Sequence, residues 1–268
     1  MNPGPHGPEP PLRCVLECPS RVLRSIPTAC LLYELLYMST SPRPQQVDLS
    51  QFASVEDAIE KARASFAGFV PLAKRIIAVD LGGLQLPAIF MLSALARATG
   101  LCLGVVDAVK AENPHVAFPL LRSYSDVVMV VLYVRIRPAY LVTVMKGPRN
   151  LPSGAPGRKG SQAMINAVGK VAPGFKAAWG ELSDMTHFGS LAIWNSWQLK
   201  AGPTQIGTVN FATYPRWKKA SDPLLACGWL IELSGALSGT LDLMLDEWSP
   251  PLWAGQVLDS LPVDRDDS

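Results

Sequence analysis

The sequence predicts a mainly helical protein: a multi-helix bundle with one short β-hairpin near the C-terminal third. Apolar residues make up 49% of the chain and charged residues only 17%, so much of it must be buried in a core or against a partner. In several long segments the apolar residues recur every three or four positions, as they do on one face of a helix. Proline and glycine separate these segments and mark their ends.

Three parts of the chain differ in composition. Residues 1–50 begin Pro-rich and end in a polar leader, which predicts a disordered or misannotated N-terminal extension with translation starting at Met38. Residues 51–250 carry the helical periodicity and form the predicted helical domain. Residues 251–268 are polar and acidic, as expected of a flexible tail.

The first two helices have clear start signals. Ser54, followed by acidic residues, predicts an N-cap for a helix over about 55–80 that bends near Pro71. Pro87 suits the first turn of a second helix, which runs to about residue 109. Two glycines of this helix, Gly100 and Gly104, predict close packing against a neighbour.

The remaining elements follow from proline and glycine positions. Further helices are predicted over about 114–134, from 138 to 146, over 161–169, over 175–187 and over 222–248. The basic, Gly- and Pro-rich stretch 147–160 is typical of a loop. Residues 196–200 and 207–213, on either side of Ala201-Gly202-Pro203, form the predicted hairpin.

Charge is unevenly distributed along the chain. Residues 127–180 contain no Asp or Glu, whereas residues from 220 to the end are strongly acidic. This polarity fits an anion-binding segment at Arg149, Arg158 and Lys159, but we favour attraction between the two segments themselves. The same loop has the composition of a phosphate-binding P-loop without its Gly-Lys-Ser/Thr order, which excludes that motif.

Localisation was predicted from apolar runs and cysteines. The longest uninterrupted apolar run, from Val127 to Val134, is about eight residues, well short of the roughly 20 that cross a bilayer. The N-terminus also lacks a secretory signal, and five cysteines without regular spacing are typical of reduced core residues. These features predict a cytoplasmic protein with no membrane span.

Metal and cofactor sites are not predicted. The three histidines, His6, His115 and His187, are scattered, and the spacing of the cysteines does not match a structural zinc site. Ser183, Asp184 and His187 also fail as a hydrolase triad. They would lie on adjoining positions of one helix, where nucleophile and acid hardly reach opposite edges of the imidazole.

Arg122 is the most informative polar residue, because a guanidinium within an apolar helical stretch is costly unless it is paired. Asp126 lies one turn on, and Glu181 or Asp184 is available from another helix. We therefore predict a structural polar cluster that locks helices together, made of Arg122, Asp126, Ser183, Asp184 and His187. The competing interpretation makes Arg122 and His187 a catalytic pair.

Short motifs carry a resemblance that covers about residues 55–248. They are Phe118-Pro119-Leu120-Leu121-Arg122-Ser123-Tyr124, Arg137-Pro138-Ala139-Tyr140, Leu182-Ser183 and His187-Phe188-Gly189-Ser190. Their order resembles a group of bacterial helical proteins, a domain of unknown function, in which an LLR helix precedes an aromatic-x-x-Leu-Ser-x-x-x-His helix. The resemblance implies a helical fold and no particular chemistry.

The chain is also similar to the HEPN class of helical ribonucleases, which use an Arg and a His four to six residues apart on one helix. It departs from that pattern because no arginine precedes His187 at this spacing. We therefore expect a non-catalytic helical interaction or scaffold protein that self-associates or binds another protein. The alternative is a nucleic-acid-binding protein or metal-independent ribonuclease that uses Arg122 and His187, and a third is small-molecule binding within the bundle.

Overall fold

The computed structural model describes residues 13–14, 47–79, 85–146, 157, 159–186, 197–200, 208–211 and 216–248. A 3₁₀ turn, Leu49–Gln51, precedes the helices. The helices are α1 (Val55–Ser65), α2 (Phe69–Val79), α3 (Leu86–Lys110), α4 (Pro114–Ile136), α5 (Tyr140–Lys146), α6 (Ser161–Val168), α7 (Pro173–Thr186) and α8 (Asp222–Glu247).

The predicted mainly helical class is confirmed. Three short strands also occur: β1 (Arg13–Cys14), β2 (Trp197–Lys200) and β3 (Thr208–Phe211). β3 pairs antiparallel with both of the others, and its Asn210 stands opposite Gln198 of β2. The connection 201–207 lies outside the described residues, as do nearly all of residues 1–46 and all of 249–268, so the hairpin, the N-terminal extension and the tail stay predictions.

Helix α4 is the central helix of the bundle, in contact with α3, α5, α6, α7 and α8. Its residues from 117 to 136 are all buried or half-buried. The sequence explains this position, because apolar residues occur around the whole circumference of α4, and a helix that is apolar on all sides is stable only when surrounded. The fully buried Leu121, Tyr124 and Val128 lie along it.

Two contacts define how α8 runs beside α4. Tyr124 meets Ser234 near mid-length, 110 positions apart in sequence, and Arg135 meets Glu247 at one end, 112 positions apart. A nearly constant offset means that the two helices are parallel and in step. α3 joins α4 through the short turn 111–113 and therefore runs the opposite way.

Glycines mark two close approaches in this core. A Cβ at Gly104 would stand 2.9 Å from Leu120 Cδ1, so the predicted close packing there is confirmed. A Cβ at Gly228 would stand 2.1 Å from Val47 Cγ1, which seats residue 47 against α8. At Gly100 no described residue lies within 4 Å of the position of a Cβ, so close packing inside the chain is not seen there.

The first predicted helix is two helices in the structure. Ser54 is its N-cap as predicted, accepting a 3.2 Å hydrogen bond from the Asp57 amide. The bend expected near Pro71 is instead a break at residues 66–68. Pro71 falls in the first turn of α2, where a missing N–H removes no intrahelical hydrogen bond.

The predictions of a cytoplasmic protein and of no membrane span are wrong. α3, α4 and α8 are each long and apolar enough to cross a membrane, with mean hydropathies of 1.9, 1.4 and 1.4 over 18 residues. The length of uninterrupted apolar runs was the wrong measure of whether a helix can cross a membrane, since Ser, Thr and Gly break a run without preventing insertion. The threonine hydroxyls are satisfied within their own helices: Thr99 donates to the Leu95 carbonyl at 2.8 Å, and Thr240 donates to the Ala236 carbonyl at 2.6 Å.

The charged segments attract one another inside the chain, as favoured from the sequence. Arg135, in the segment without acids, forms a 2.6 Å ion pair with Glu247 at the end of α8. Asp242, one turn earlier on α8, pairs with Arg75 of α2 at 2.6 Å. These exposed pairs orient α8 against α4 and α2 and contribute little to stability individually.

Candidate functional site

The candidate site surrounds Arg122 on the face of α4 that packs against α7. Its side chain is only 11% exposed, whereas that of its ion-pair partner Asp126, one turn on, is 43% exposed. Nε of Arg122 donates a 2.8 Å hydrogen bond to Ser183 Oγ on α7. The buried guanidinium is thus neutralised by its own helix and tied to the neighbouring one.

Trp179 completes the cluster and was missed by the sequence prediction. The Arg122 guanidinium lies over its ring, 4.1 Å from the centroid, an attractive cation–π arrangement. The indole Nε1 donates to Asp126 Oδ1 at 3.1 Å. Trp179 precedes Ser183 by four residues, so both face the same way on α7, and this spacing was the available signal.

The contacts of the cluster are made among its own members. Ser183 accepts from Arg122 and donates to the Trp179 carbonyl at 2.9 Å. Arg122 is held by Asp126, Ser183 and Trp179 together. The predicted ion pair with Asp126 is confirmed, but contact with α7 is made by a hydroxyl and a ring. Asp184 is exposed and takes no part in these contacts.

The other predicted site residues are separated from this cluster or lie outside the described residues. His187, Arg149 and Arg158 belong to the latter group, so the catalytic pair and the anion-binding loop stay predictions. Lys159 is described and exposed, and its backbone N–H donates to the Tyr140 hydroxyl at 3.0 Å. Within the parts of the chain that the structure describes, no three His, Cys, Asp or Glu side chains gather in a potential metal site.

A second polar cluster lies in the core where α3, α4 and α8 meet. Tyr124 donates a 3.2 Å hydrogen bond to Ser234 Oγ, and Cys102 Sγ is 3.9 Å from the same oxygen. All three side chains are essentially inaccessible to solvent. The prediction of reduced core cysteines is confirmed for Cys102 and Cys227, which are both buried free thiols.

The two clusters connect α4 to different neighbouring helices. The Cys102–Tyr124–Ser234 cluster joins α4 to the two other long apolar helices, and the Arg122 cluster joins it to α7. Hydrogen bonds between apolar helices are a main source of specificity where no water competes. Both arrangements order helix packing, and neither presents an unengaged nucleophile.

No family model matches this chain, and neither the curated proteins nor the solved structures contain a significant match to it.

Proposed function

We propose that this chain is a non-catalytic helical interaction protein that inserts α3, α4 and α8 into a membrane and self-associates there. The contacts of the Arg122 guanidinium support the non-catalytic part, since in the described part of the chain they are made with Asp126, Ser183 and Trp179. The length and apolarity of the three helices support insertion. The outer surfaces of α3 and α8 support self-association.

Each of these two helices carries one exposed stripe whose members recur every three or four residues. The α3 stripe consists of Ser93, Ala96, Arg97, Gly100, Leu103, Asp107 and Lys110. The α8 stripe consists of Glu232, Gly235, Ala236, Gly239, Leu243, Asp246 and Glu247. Both stripes are centred on small residues next to an exposed leucine, a pattern that lets helix backbones approach closely.

The observation that carries the proposal is the environment of Gly100, Gly235 and Gly239. Nothing lies within 4 Å of the position where a Cβ would stand at any of them. A glycine inside a helix costs about 1 kcal/mol relative to alanine, and packing among the described residues does not offset that cost. Close approach of a helix from a second copy would explain why glycine occupies these three positions.

Charge favours contact between unlike stripes. Arg97 lies near the middle of α3 and Glu232 near the middle of α8, and both are exposed. A charge facing lipid at mid-helix costs about 2.5–3.5 kcal/mol on insertion scales. Pairing the α3 stripe of one copy with the α8 stripe of another removes both charges from lipid and brings opposite signs to the same interface.

The experiment compares glycine-to-leucine variants of the full chain in a nonionic detergent. We expect the wild type to sediment as an oligomer and Gly239→Leu to sediment as a monomer, because the bulky side chain blocks helix approach. Gly180→Leu is the matched control, as Gly180 of α7 also has open space around its Cβ position but lies on neither stripe. A monomeric wild type, or an oligomer that survives Gly239→Leu, contradicts self-association through this stripe.

Membrane insertion is tested separately by alkaline carbonate extraction of membranes that contain the full chain. An inserted protein stays in the pellet with the bilayer, because its apolar helices cannot enter water. Release into the supernatant together with peripheral proteins contradicts insertion.

A further inference from the structure

We propose that the cleft between α1, the turn after α3 and the segment before α8 binds a zwitterionic amphiphile of the phosphoethanolamine type. The cleft has a volume of about 620 Å³, within the range of small-molecule sites. It lies at the end of the bundle where α3 ends and α4 and α8 begin. Neither polar cluster described above contributes to it.

The charges around the cleft are balanced. Glu56 and Glu60 come from α1, Glu112 follows α3, and Lys110, Arg216 and Lys219 supply the opposite sign. A purely anionic or cationic ligand would face three like charges, whereas a molecule with an ammonium and a phosphate meets partners for both. The lining therefore selects for a zwitterion.

The floor of the cleft is apolar. Val109, Ile59 and Pro223 contribute aliphatic surface, and half-buried Trp217 contributes an indole. Trp217 is fixed from behind by an edge-to-face contact with Phe118, with ring centroids 5.7 Å apart. A rigid indole between polar and apolar surface suits the glycerol region of a lipid at the edge of a bilayer.

The orientation of the ligand follows from where the charges lie. Arg216 and Lys219 precede α8 and supply two of the three cations of the cleft, so the phosphate is placed beside their side chains. Glu112 follows the C-terminus of α3, where the helix dipole adds partial negative charge. The ammonium is therefore placed between Glu112 and the acids of α1.

The backbone of Glu112 is an independent observation. Its φ is 52°, the one positive value at a non-glycine position in the described ranges. It occupies the position after a helix end that glycine prefers: its N–H bonds the Val109 carbonyl at 3.1 Å, and the next amide, of Asn113, bonds that of Ala108 at 2.8 Å. A glutamate held in a conformation that glycine adopts more easily supports a binding role for its carboxylate.

The test uses the full chain in an uncharged maltoside detergent and titration calorimetry with dihexanoyl-phosphatidylethanolamine. We expect saturable binding to the wild type. Glu112→Gly should weaken affinity about tenfold by removing a charged hydrogen bond while raising Tm by about 2 °C through relief of strain. Glu112→Gln should weaken binding similarly without raising Tm. Asp184→Asn, the matched control outside the cleft and both stripes, should change neither quantity.

Two further titrants identify the source of the ligand and its charge. Glycerophosphoethanolamine, which has no acyl chains, supports a soluble zwitterion if it binds as tightly as the lipid, and a bilayer lipid if it binds much more weakly. Dihexanoyl-phosphatidylglycerol should bind poorly. Equal binding of this anionic lipid, no saturable binding of either zwitterion, or unchanged affinity in Glu112→Gly overturns the proposal.

The lipid source rests on the proposed membrane insertion, but the two outcomes are separable. The cleft is distinct from the α3 and α8 stripes, apart from Lys110 at the end of the α3 stripe, so the Glu112 variants should keep the oligomeric state of the wild type. Loss of binding in an oligomeric, membrane-inserted protein counts against the cleft alone.

Discussion

Tyr124 and Ser234 meet in the fully buried centre of the bundle, where the phenol donates a 3.2 Å hydrogen bond to the serine hydroxyl. The pair joins two helices that are both apolar enough to cross a membrane. Replacing Tyr124 and replacing Ser234 should reduce stability by different amounts, because a buried polar group left without its partner costs more than a polar group that is absent.

Ser234→Ala should therefore destabilise more than Tyr124→Phe. Without the serine, the Tyr124 hydroxyl keeps only the weakly accepting sulfur of Cys102, which should cost about 2 kcal/mol. Tyr124→Phe removes the donor and leaves Ser234 beside Cys102, at about 1 kcal/mol. The free energy of unfolding, measured by denaturant titration in detergent, tests this order. Exposed Ser161→Ala, which lies on neither stripe, is the control. Equal costs for the two core variants contradict the predicted order.

The two partners of the Arg122–Asp126 ion pair should also differ in the stability that is lost when each is replaced. Arg122→Met leaves Asp126, which is 43% exposed and remains hydrated, so the loss should be about 1 kcal/mol. Asp126→Ala leaves a charge on the 11% exposed Arg122 and should cost about 3 kcal/mol. Unfolding free energies of the two variants decide the matter. A costlier Arg122→Met contradicts a mainly structural role of the pair.

Gly228 and Gly235 should respond to alanine with opposite signs. At Gly228 the new Cβ would stand 2.1 Å from Val47 Cγ1, so Gly228→Ala should destabilise by about 1–3 kcal/mol. Gly235 has open space at the same position, and Gly235→Ala should stabilise the isolated chain by up to about 1 kcal/mol. Val47→Ala added to Gly228→Ala should recover part of the loss. Equal effects of the two single substitutions on Tm contradict the assigned packing.

Reversing the charges of Arg97 and Glu232 tests whether the α3 stripe of one copy contacts the α8 stripe of another. Arg97→Glu places two acids at the proposed contact and should weaken self-association, as should Glu232→Arg. The double variant restores opposite signs and should associate again, since only the order of the charges is reversed. Sedimentation in detergent at low salt measures the three states. A double variant that stays dissociated contradicts pairing of Arg97 with Glu232.

Acid should weaken the start of α1. The Lys61 ammonium, 2.8 Å from Asp57, and the Ala53 amide lower the pKa of Asp57 below its usual value. A lowered pKa contributes stability that is present above the unfolded value and lost as pH falls through the folded value. Wild type should thus lose more stability than Asp57→Asn between about pH 4 and pH 2. Parallel curves for the two proteins contradict this assignment.

The sequence predicted helices well where proline or a capping residue sets a boundary. Pro87, Pro114 and Pro223 each begin a helix within one or two residues of the expected start. The membrane-spanning capacity was missed because interrupted apolar segments were judged by their longest run. The positive φ of Glu112 has no local signal, since glutamate is a poor predictor of that conformation.

The candidate site was predicted in part. Arg122 with Asp126 follows from helical spacing alone, because both lie on one helix. Trp179 depends on which face of α7 packs against α4, which is a tertiary fact that spacing within one helix does not determine. The interhelical cluster of Cys102, Tyr124 and Ser234 is of the same kind, as its members come from three separate helices.

The parallel course of α4 and α8 has a topological consequence for a protein in a bilayer. The chain leaves α4 beside Glu247, yet α8 starts beside the opposite end of α4. The contacts from Arg122 to Ser183 and from Asp126 to Trp179 show that α7 runs antiparallel to α4 and so returns part of that distance. With 14 residues, or about 21 Å, α7 is shorter than the hydrocarbon layer of a bilayer. The Arg122 cluster therefore ties α4 to a returning helix that would not span such a layer by itself.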